Sequence, residues 1–587
     1  MSNANRERER SVRYQPDEHP PGGVVFGCGV QIVVLGITGL VAFPTILVLA
    51  AGETEAYLSW AVFCTVALSG GATMLQASRI GRIGTGYVLT IGPAGPFIGI
   101  CVAALAAGGP GLLAILVIIS SLLPLAIAPQ LSLFRRLLTP TIVGTVNMLI
   151  PVTVLPVVFG RVTDVPEGVP ALAAPLTAAA TVLVISVIQL KAAPRLRLWA
   201  PLLGVVAGSV VAGGFGLYDV DRVMRASWVG LPQGAWPGVD LDFGPAFVGL
   251  LPAFVFLTLI GTIQTITAGV AVQRVSWRRP RAVDYRVVQG AVAADGISKL
   301  LCGAAGIMPT QTTTVSVPTI ELTGVAARRV GIAAGALMVA LAFLPKALAA
   351  VLAVPGPVYA AFLFVLLALI FVRGMSEVVQ GGIDHRKGLI AGLGFWFGAG
   401  CQYGMIFPEY LSGFAGGLLA NGITVGGLVA ILMTLFLEVT APRVKRLEAE
   451  ADISVLPRVQ EFIGEFAARS GWDSKMVYRL EAASEETLLT LVGAEGGGEQ
   501  RERRRLFLSA RKEGDAAVIE FVAAAGEANI QDRIGLLAEQ PDDALMEREV
   551  SLRLLRHIAS SVRHQQFHEA DIVTVRVDAP ESGSGGR

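Results

Sequence analysis

Long apolar segments fill the chain from Val24 to Thr440. About 20 apolar residues cross a bilayer, and by that measure there are about fourteen spans. They lie near residues 24–51, 57–77, 84–105, 111–130, 138–159, 171–190, 199–217, 246–272, 287–306, 309–325, 330–353, 357–376, 388–407 and 418–440. The first is too long for a signal peptide. The pattern predicts an all-α polytopic membrane protein, and we expect neither enzyme activity nor a cofactor.

Charge divides the chain into a membrane body and a polar tail. The whole chain is 53% hydrophobic and 16% charged, yet its last 147 residues hold 46 of its 91 charged side chains. We expect an N-terminal segment over 1–23, a transporter body over 24–440, a linker over 441–452, a soluble domain over 453–580 and a flexible end over 581–587.

Two kinds of site are disfavoured by composition. The five cysteines fall in apolar stretches without paired or metal-like spacing, so neither a disulfide framework nor a metal site is predicted. The net charge of +1 and the absence of a large basic patch argue against nucleic acid as a partner.

Basic residues in the loops predict the topology. The loops on the side of the N-terminus hold seventeen Lys and Arg residues, whereas the opposite loops hold Arg161, Arg222 and Arg225. Cytoplasmic loops carry the excess of basic residues. We therefore expect both termini in the cytoplasm and the body in the cell (inner) membrane.

Two spans cannot be continuous helices. The third contains Gly and Pro between Thr85 and Pro96, and the tenth alternates Thr and Val between Pro309 and Thr319, which favours extended chain. The third and tenth spans are seven apart, which is half of the fourteen predicted spans. Two inverted seven-span repeats would therefore place the breaks at corresponding positions. Paired breaks of this kind mark the substrate site of transporters, although kinked helices are the simpler alternative.

Polar residues within other spans support a central site. Gln31 lies in the first span and Gln264 in the eighth. Asp295 and Lys299 stand four residues apart in the ninth, where they could neutralise one another or contact a substrate or ion. Asn147 fits an interhelical hydrogen bond.

The body resembles the nucleobase–ascorbate transporters, which include bacterial xanthine and uracil permeases. The resemblance covers roughly residues 14–440. It rests on four stretches: Tyr14–Pro21, Gly29–Gln31 with Pro44, Ala294–Gly296, and Gly306–Thr310 running into Leu322–Arg328. It implies a core and a gate domain built from the inverted repeats, with short strands in spans 3 and 10 framing a planar base.

The site departs from the pattern of that family. The resemblance places the family's substrate-binding glutamate on Gln264 and its signature on Val315, Ser316, Val317 and Pro318, and the usual Gln-His pair becomes Gln31-Ile32. A glutamine can accept and donate hydrogen bonds but cannot titrate. Proton coupling through the usual groups is therefore disfavoured, which leaves Asp295, another cation, or uncoupled transport.

These observations predict a secondary active transporter, such as a symporter, for a nucleobase such as uracil, xanthine or a related base. The expected substrate-binding residues are Gln264, Ser316, Thr314, Gln31, Thr90, Ile91 and Gly92. The alternatives are a transporter of another small solute or anion, and a membrane sensor that signals through the tail. We also expect a homodimer.

The tail predicts a cytoplasmic two-layer α/β domain. Helical periodicity over 456–466 and 476–491 precedes predicted strands at 506–510 and 517–523, a predicted helix near 546–562 and a predicted strand at 572–577. Arg479–Glu486 and Phe521–Gly526 resemble the ATPase domain of anti-sigma factors and histidine kinases. The family's metal-binding Asn falls on Leu489 or Thr490 and its adenine-binding Asp on Ala524, which implies a degenerate module that regulates the body or binds a cytoplasmic partner.

Overall fold

A computed structural model describes residues 12–134, 139–163, 165–166, 168–232, 234, 236–279, 281–379, 382, 384–407, 421–440, 446–450, 452–493, 505–523, 529–536 and 552–579. The chain forms two compact units. The first extends to Val439, except for the short segments Pro129–Ser132 and Pro280–Arg286, which group with the second unit and the tail from Thr440 onward.

The membrane body is mostly helical. Its helices are α1 (Gly22–Ala50), α2 (Glu55–Ser78), α3 (Ile98–Ile127), α4 (Leu131–Phe134), α5 (Pro140–Val162), α6 (Ala173–Lys191), α7 (Pro194–Arg197), α8 (Ala200–Gly214), α9 (Val220–Arg225), α10 (Pro245–Val275), α11 (Tyr285–Ala304), α12 (Ser316–Thr323), α13 (Arg328–Ala342), α14 (Pro345–Leu352), α15 (Gly356–Val378), α16 (His385–Gln402) and α17 (Gly422–Thr440). Two short strands interrupt this series, β1 (Thr90–Pro93) and β2 (Thr310–Thr313).

By length and composition, six of the described helices could cross a membrane, or seven if a bent pair forms one span. The bent pair is α13 and α14, which meet at 85°. Among these helices, α3 departs from helical geometry at Gly108 and Gly109, where φ of Gly109 is +69°. This break lies where the sequence predicts the loop between the third and fourth spans.

The predicted breaks in spans 3 and 10 are present. Thr90–Pro93 and Thr310–Thr313 are extended, and each is followed by helix. Proline explains the end of β1, because Pro93 has no amide hydrogen to donate. The Thr-rich composition of β2 matches the preference of β-branched residues for extended chain.

Glycines bring helices into close contact, as at the crossings of α2 with α13 and of α5 with α15. A Cβ atom built on Gly70 of α2 would lie 2.6 Å from the carbonyl oxygen of Gly335 of α13. A Cβ atom on Gly144 of α5 would lie 2.5 Å from the carbonyl oxygen of Gly374 of α15. Small residues let membrane helices approach through their backbones, so these crossings fix the register of two helix pairs.

The tail folds around an antiparallel sheet of five strands in the order β3, β4, β5, β7, β6. The strands are β3 (Arg446–Glu450), β4 (Arg505–Glu513), β5 (Ala516–Ala523), β6 (Ser561–Gln566) and β7 (Asp571–Asp578). Three described helices accompany them, α18 (Leu456–Ser470), α19 (Ser474–Gly493) and α20 (Ile530–Leu536), and residues 552–558 are also helical.

Apolar side chains join the helices of the tail to its sheet. Val459 and Ile463 of α18 and Leu480 of α19 are fully buried in one cluster with Ile519 and Phe521 of β5. Helix α18 ends at Gly471, whose φ of +71° is the left-handed conformation that commonly stops a helix. The periodicity of residues 456–466 therefore marked the buried face of α18.

Two strands of the tail were not predicted. Strand β3 lies within the segment expected to be a linker, and β6 begins at Ser561, inside the helix predicted through Val562. Ser561 and Val562 instead pair with Arg576 and Val575 of β7. Edge strands with polar residues carry a weak sequence signal, because half of their side chains face solvent. Ala524, on which the adenine-binding Asp of the resemblance falls, lies outside the described residues. So do residues 1–11 and 581–587 at the two ends of the chain and residues 441–445 of the predicted linker.

The crossing of α5 and α15 predicts an effect on stability. Gly144→Ala should lower the free energy of unfolding by about 1–3 kcal/mol, because the added methyl group overlaps the backbone of α15. Gly160→Ala on the same helix is the control, since nothing lies within 4 Å of that Cβ position. Thermal unfolding of the detergent-solubilised protein measures both variants, and equal midpoints for the two would contradict the expectation.

A buried histidine predicts acid sensitivity of the tail. Burial lowers the pKa of His564 to about 4, and its Nδ1 accepts a hydrogen bond from the amide of Ile530 at 2.9 Å. The neutral form is therefore native, so stability present above about pH 6.5 is lost as the pH falls toward 4. Between pH 7 and 5 the loss should be about 2 kcal/mol.

Hydrogen exchange of the tail strands in the full chain, corrected for the intrinsic rate at each pH, measures this loss. His564→Gln should remove most of the pH dependence, whereas exposed His557→Gln should keep it. An unchanged slope in His564→Gln would assign the acid sensitivity to another group.

Candidate functional site: paired strands and an amide cluster

Strands β1 and β2 pair antiparallel within the body. Thr90 lies opposite Thr313, Ile91 opposite Thr312, and Gly92 opposite Gln311. The hydroxyl groups of Thr90 and Thr313 are 2.7 Å apart. Backbone that leaves the helix inside a membrane must find partners in the protein, and the two broken spans satisfy each other in this way.

Side chains complete the outer edges of the strand pair. The amide of Ile91 donates to Oγ1 of Thr73 on α2 at 3.0 Å. The amide of Thr312 donates to Oδ1 of Asp295 on α11 at 3.1 Å. Both outward-facing donors of this residue pair are thereby satisfied, which anchors β1 to α2 and β2 to α11.

Asp295 and Lys299 form the ion pair that their spacing predicts. Both side chains are almost fully buried, at 0% and 1% exposed. One carboxylate oxygen of Asp295 accepts from Lys299, and the other accepts from the amide and hydroxyl of Thr312. A buried charge needs such a partner, so the pair neutralises itself and ties α11 to β2.

An amide cluster lies beside the strands. Nε2 of Gln311 on β2 donates to Oε1 of Gln264 on α10. Nε2 of Gln264 donates to Oδ1 of Asn147 on α5 at 2.8 Å, and Nδ2 of Asn147 donates to Glu377 on α15 at 2.6 Å. Four elements distant in sequence thus meet in one chain of hydrogen bonds.

Two of the buried polar side-chain atoms that have no hydrogen-bond partner among the described residues lie on β2 and at the start of α12. They are Oε1 of Gln311 and Oγ of Ser316. An unsatisfied buried polar atom costs about 1–3 kcal/mol. A ligand that supplies a hydrogen bond at these atoms would recover that cost.

The structure places the predicted site residues unevenly. Thr90, Ile91 and Gly92 form β1, and Gln264 reaches β2 through Gln311. Thr314 and Ser316 follow β2, where the carbonyl of Thr314 accepts from the amide of Val317. Gln31 is half-buried on α1 and forms no hydrogen bond with any other predicted site residue within the described part of the chain.

Several residues of the cluster were not predicted as site residues. Gln311 stands inside the Thr-rich run and could have been selected as the long polar side chain in that interrupted span. The interhelical hydrogen bond expected of Asn147 is present. Glu377 gave no sequence signal, because a carboxylate near the end of a span resembles an ordinary interface residue. In the described residues, no group of His, Cys, Asp and Glu side chains could hold a metal ion.

A family model described as "Permease family" (Xan_ur_permease) matches residues 24–406, well over half of the chain. The chain belongs to this family. The permease is 25% identical to the xanthine permease XanQ of Escherichia coli over 69% of this chain and 91% of that protein. It is 25% identical to XanP of Escherichia coli over 66% and 85%, and 23% identical to the uric acid permease PucK of Bacillus subtilis over 70% and 95%.

Solved structures similar to the permease include the transmembrane domain of the cyanobacterial bicarbonate transporter BicA. The TM-score is 0.48 at 17% identity, over 72% of this chain and all of that one. Membership in the family establishes that the permease is a multi-pass membrane transport protein, as its sequence predicts.

The buried ion pair yields a prediction for the permease. Asp295→Asn leaves Lys299 buried without a counter-charge, and Lys299→Met does the same to Asp295. Each variant should lose about 3–5 kcal/mol of stability. The double variant should lose less than the sum of the two, because it buries no unpaired charge.

Asp221→Asn is the matched control, since Asp221 forms an i,i+4 pair with Arg225 in which both side chains are more than 80% exposed. Removing such a pair changes stability by less than about 1 kcal/mol. Thermal unfolding and yield of the purified variants test this. Additive losses in the double variant would show that the two residues do not act as a pair.

Proposed function

We propose that the permease carries a nucleobase across the cell membrane and binds it where β1, β2 and α10 meet. The observation that supports this proposal most directly is the amide cluster at the strands. There, Oε1 of Gln311 and Oγ of Ser316 are buried and have no hydrogen-bond partner among the described residues. A planar base has ring N–H groups and carbonyl oxygens at its edge, which match amide and hydroxyl groups. The similarity to the xanthine permease XanP and the uric acid permease PucK supports a xanthine-type or uric acid-type substrate.

The proposed ligands are the predicted ones together with Gln311. Gln264 and Gln311 supply side-chain amides, Ser316 and Thr314 supply hydroxyl groups, and Thr90–Gly92 supply backbone. Gln31 on α1 is the remaining proposed ligand, and it is included because of the family resemblance. The amide pair replaces the carboxylate that the family resemblance would place at Gln264, so the binding groups themselves carry no charge.

Alternating access is proposed to follow from a core and a gate domain built from two inverted seven-span repeats. The strands, α10 and α11 belong to the core, and α5 and α15 belong to the gate. The hydrogen bond between Gln264 and Asn147 crosses between these groups at 2.8 Å. Breaking and remaking that bond would accompany movement of one group against the other. Both termini are proposed to be cytoplasmic, as the basic loops indicate.

A coupling cation would act at Asp295, the carboxylate bonded directly to β2. Lys299 already neutralises this carboxylate, so a proton or cation there would compete with the lysine. The same pairing weighs against the anion-transport alternative, because the lysine at the strands is committed to Asp295. A neutral base such as uracil requires no such charge.

The tail is proposed to be a regulatory domain of the permease, which itself is proposed to form a homodimer. The five-stranded sheet with helices α18 and α19 gives the tail its own buried core. A domain with a separate core can bind a cytoplasmic partner without rearranging the membrane body.

Radiolabelled uptake in a host without its own base transporters tests the transport proposal. Cells that express the permease should accumulate at least one of uracil, xanthine, uric acid and hypoxanthine. Gln264→Ala should lower uptake efficiency about tenfold to a hundredfold, because a buried hydrogen bond to the base is lost and Gln311 loses its partner.

Gln189→Ala is the control, since the amide of Gln189 contacts the backbone of Arg197 away from the strands. Membrane expression is compared for all variants. The proposal would be refuted if no base were taken up despite expression, or if Gln264→Ala kept full activity.

A further inference from the structure

Glu377 lies where two helices cross. Gly144 of α5 and Gly374 of α15 meet backbone to backbone, and Asn147 and Glu377 each stand three residues farther along their helices. Residues three apart lie on the same helical face. Asn147 and Glu377 therefore flank the glycine crossing, where Nδ2 of Asn147 donates to Oε2 of Glu377 at 2.6 Å, and the Glu377 side chain is only 19% exposed.

The carboxylate of Glu377 fixes the orientation of the Asn147 amide. An ionised carboxylate only accepts hydrogen bonds, and Oε2 of Glu377 accepts from Nδ2 of Asn147 at 2.6 Å. The carbonyl oxygen of Asn147 then points the other way, toward Gln264.

The orientation passes along the amide cluster. Because Asn147 presents its oxygen, Gln264 must present Nε2 to it and keeps Oε1 for Gln311. Gln311 donates its Nε2 to that oxygen, which leaves its own Oε1 buried and unpartnered in the described structure. The series of hydrogen-bonded amides therefore ends at β2 with an acceptor, Oε1 of Gln311.

We propose that Glu377 is a positioning residue that sets this polarity, so that the site presents an acceptor at Gln311 and selects bases with an N–H group there. The inference rests on the proposed function, which it deepens. Protonated Glu377 could instead donate to Asn147. The donor and acceptor ends of Asn147, Gln264 and Gln311 could then exchange places. Gln311 would present Nε2, a donor, and the site would favour a carbonyl or ring nitrogen at the same position.

Few of the described groups around Glu377 can influence its protonation, so reversal of the hydrogen bonds depends on the carboxylate itself. Arg373 on the same helix contacts Glu377, with Nε 3.4 Å from Oε1. From α5 the contact is the uncharged Asn147. Within the described residues of α6, α8 and α16, which also pack against α15, none forms an ion pair or hydrogen bond with Glu377.

Binding of xanthine and of each singly N-methylated xanthine to the purified full-length permease tests the inference. A methyl group replaces one N–H donor at a time. For the analogue that lacks the donor facing Gln311, wild type should bind at least about tenfold more weakly than xanthine near neutral pH. This discrimination should decrease as the pH falls and Glu377 takes up a proton.

Glu377→Gln keeps the size of the side chain and can donate or accept, so discrimination should fall at least about fivefold and lose its pH dependence. Glu465→Gln is the matched control, because Glu465 also forms an i,i+4 pair with an arginine, Arg469, on an exposed face of α18. This control should retain the discrimination and pH profile of wild type.

A rescue variant separates polarity from simple packing. In Asn147→Asp combined with Glu377→Gln, the ionised carboxylate at position 147 can only accept from Gln264, so discrimination should return near neutral pH. If Glu377→Gln alone does not fold, this double variant carries the test. Wild-type discrimination and pH profile in Glu377→Gln, or failure of the double variant to discriminate, would overturn the role of Glu377. No binding of xanthine or any analogue by wild type would overturn the role and the proposed xanthine-type function together.

Discussion

The structure depends on satisfying backbone hydrogen bonds inside an apolar body. Two spans leave the helical conformation, and each would expose amide and carbonyl groups that have no water to bond. Pairing β1 with β2 removes most of this cost, and Thr73 and Asp295 accept the amide hydrogens that remain on Ile91 and Thr312. The charge of Lys299 then follows, because a buried Asp295 needs a counter-ion.

The same constraint explains why polar side chains gather at this place. Interrupting two helices places irregular backbone at membrane depth, where polar side chains from several helices can meet a ligand. The amide cluster uses neutral groups, which are cheaper to bury than charges. Its single ionisable member, Glu377, lies on α15 and reaches the strands through Asn147 and Gln264.

Local sequence patterns predicted the elements with strong periodicity or strong breakers. The Gly and Pro residues between Thr85 and Pro96 and the Thr-rich run after Pro309 predicted the interruptions, and an i,i+4 spacing predicted the Asp295–Lys299 pair. Strands β3 and β6 were missed, because polar edge strands lack a clear apolar alternation. Glu377 was missed because its partner Asn147 lies 230 residues away.

The sequence by itself determined the membrane body, the polar tail and the two broken spans, since each depends on the hydropathy or backbone preference of neighbouring residues. Family membership confirmed the transport function that these features and the resemblance indicated. Only the tertiary structure decided which polar groups meet. The approach of α5 and α15 at Gly144 and Gly374, and the register of Gly92 opposite Gln311, arise from packing between distant segments, and no local pattern encodes them.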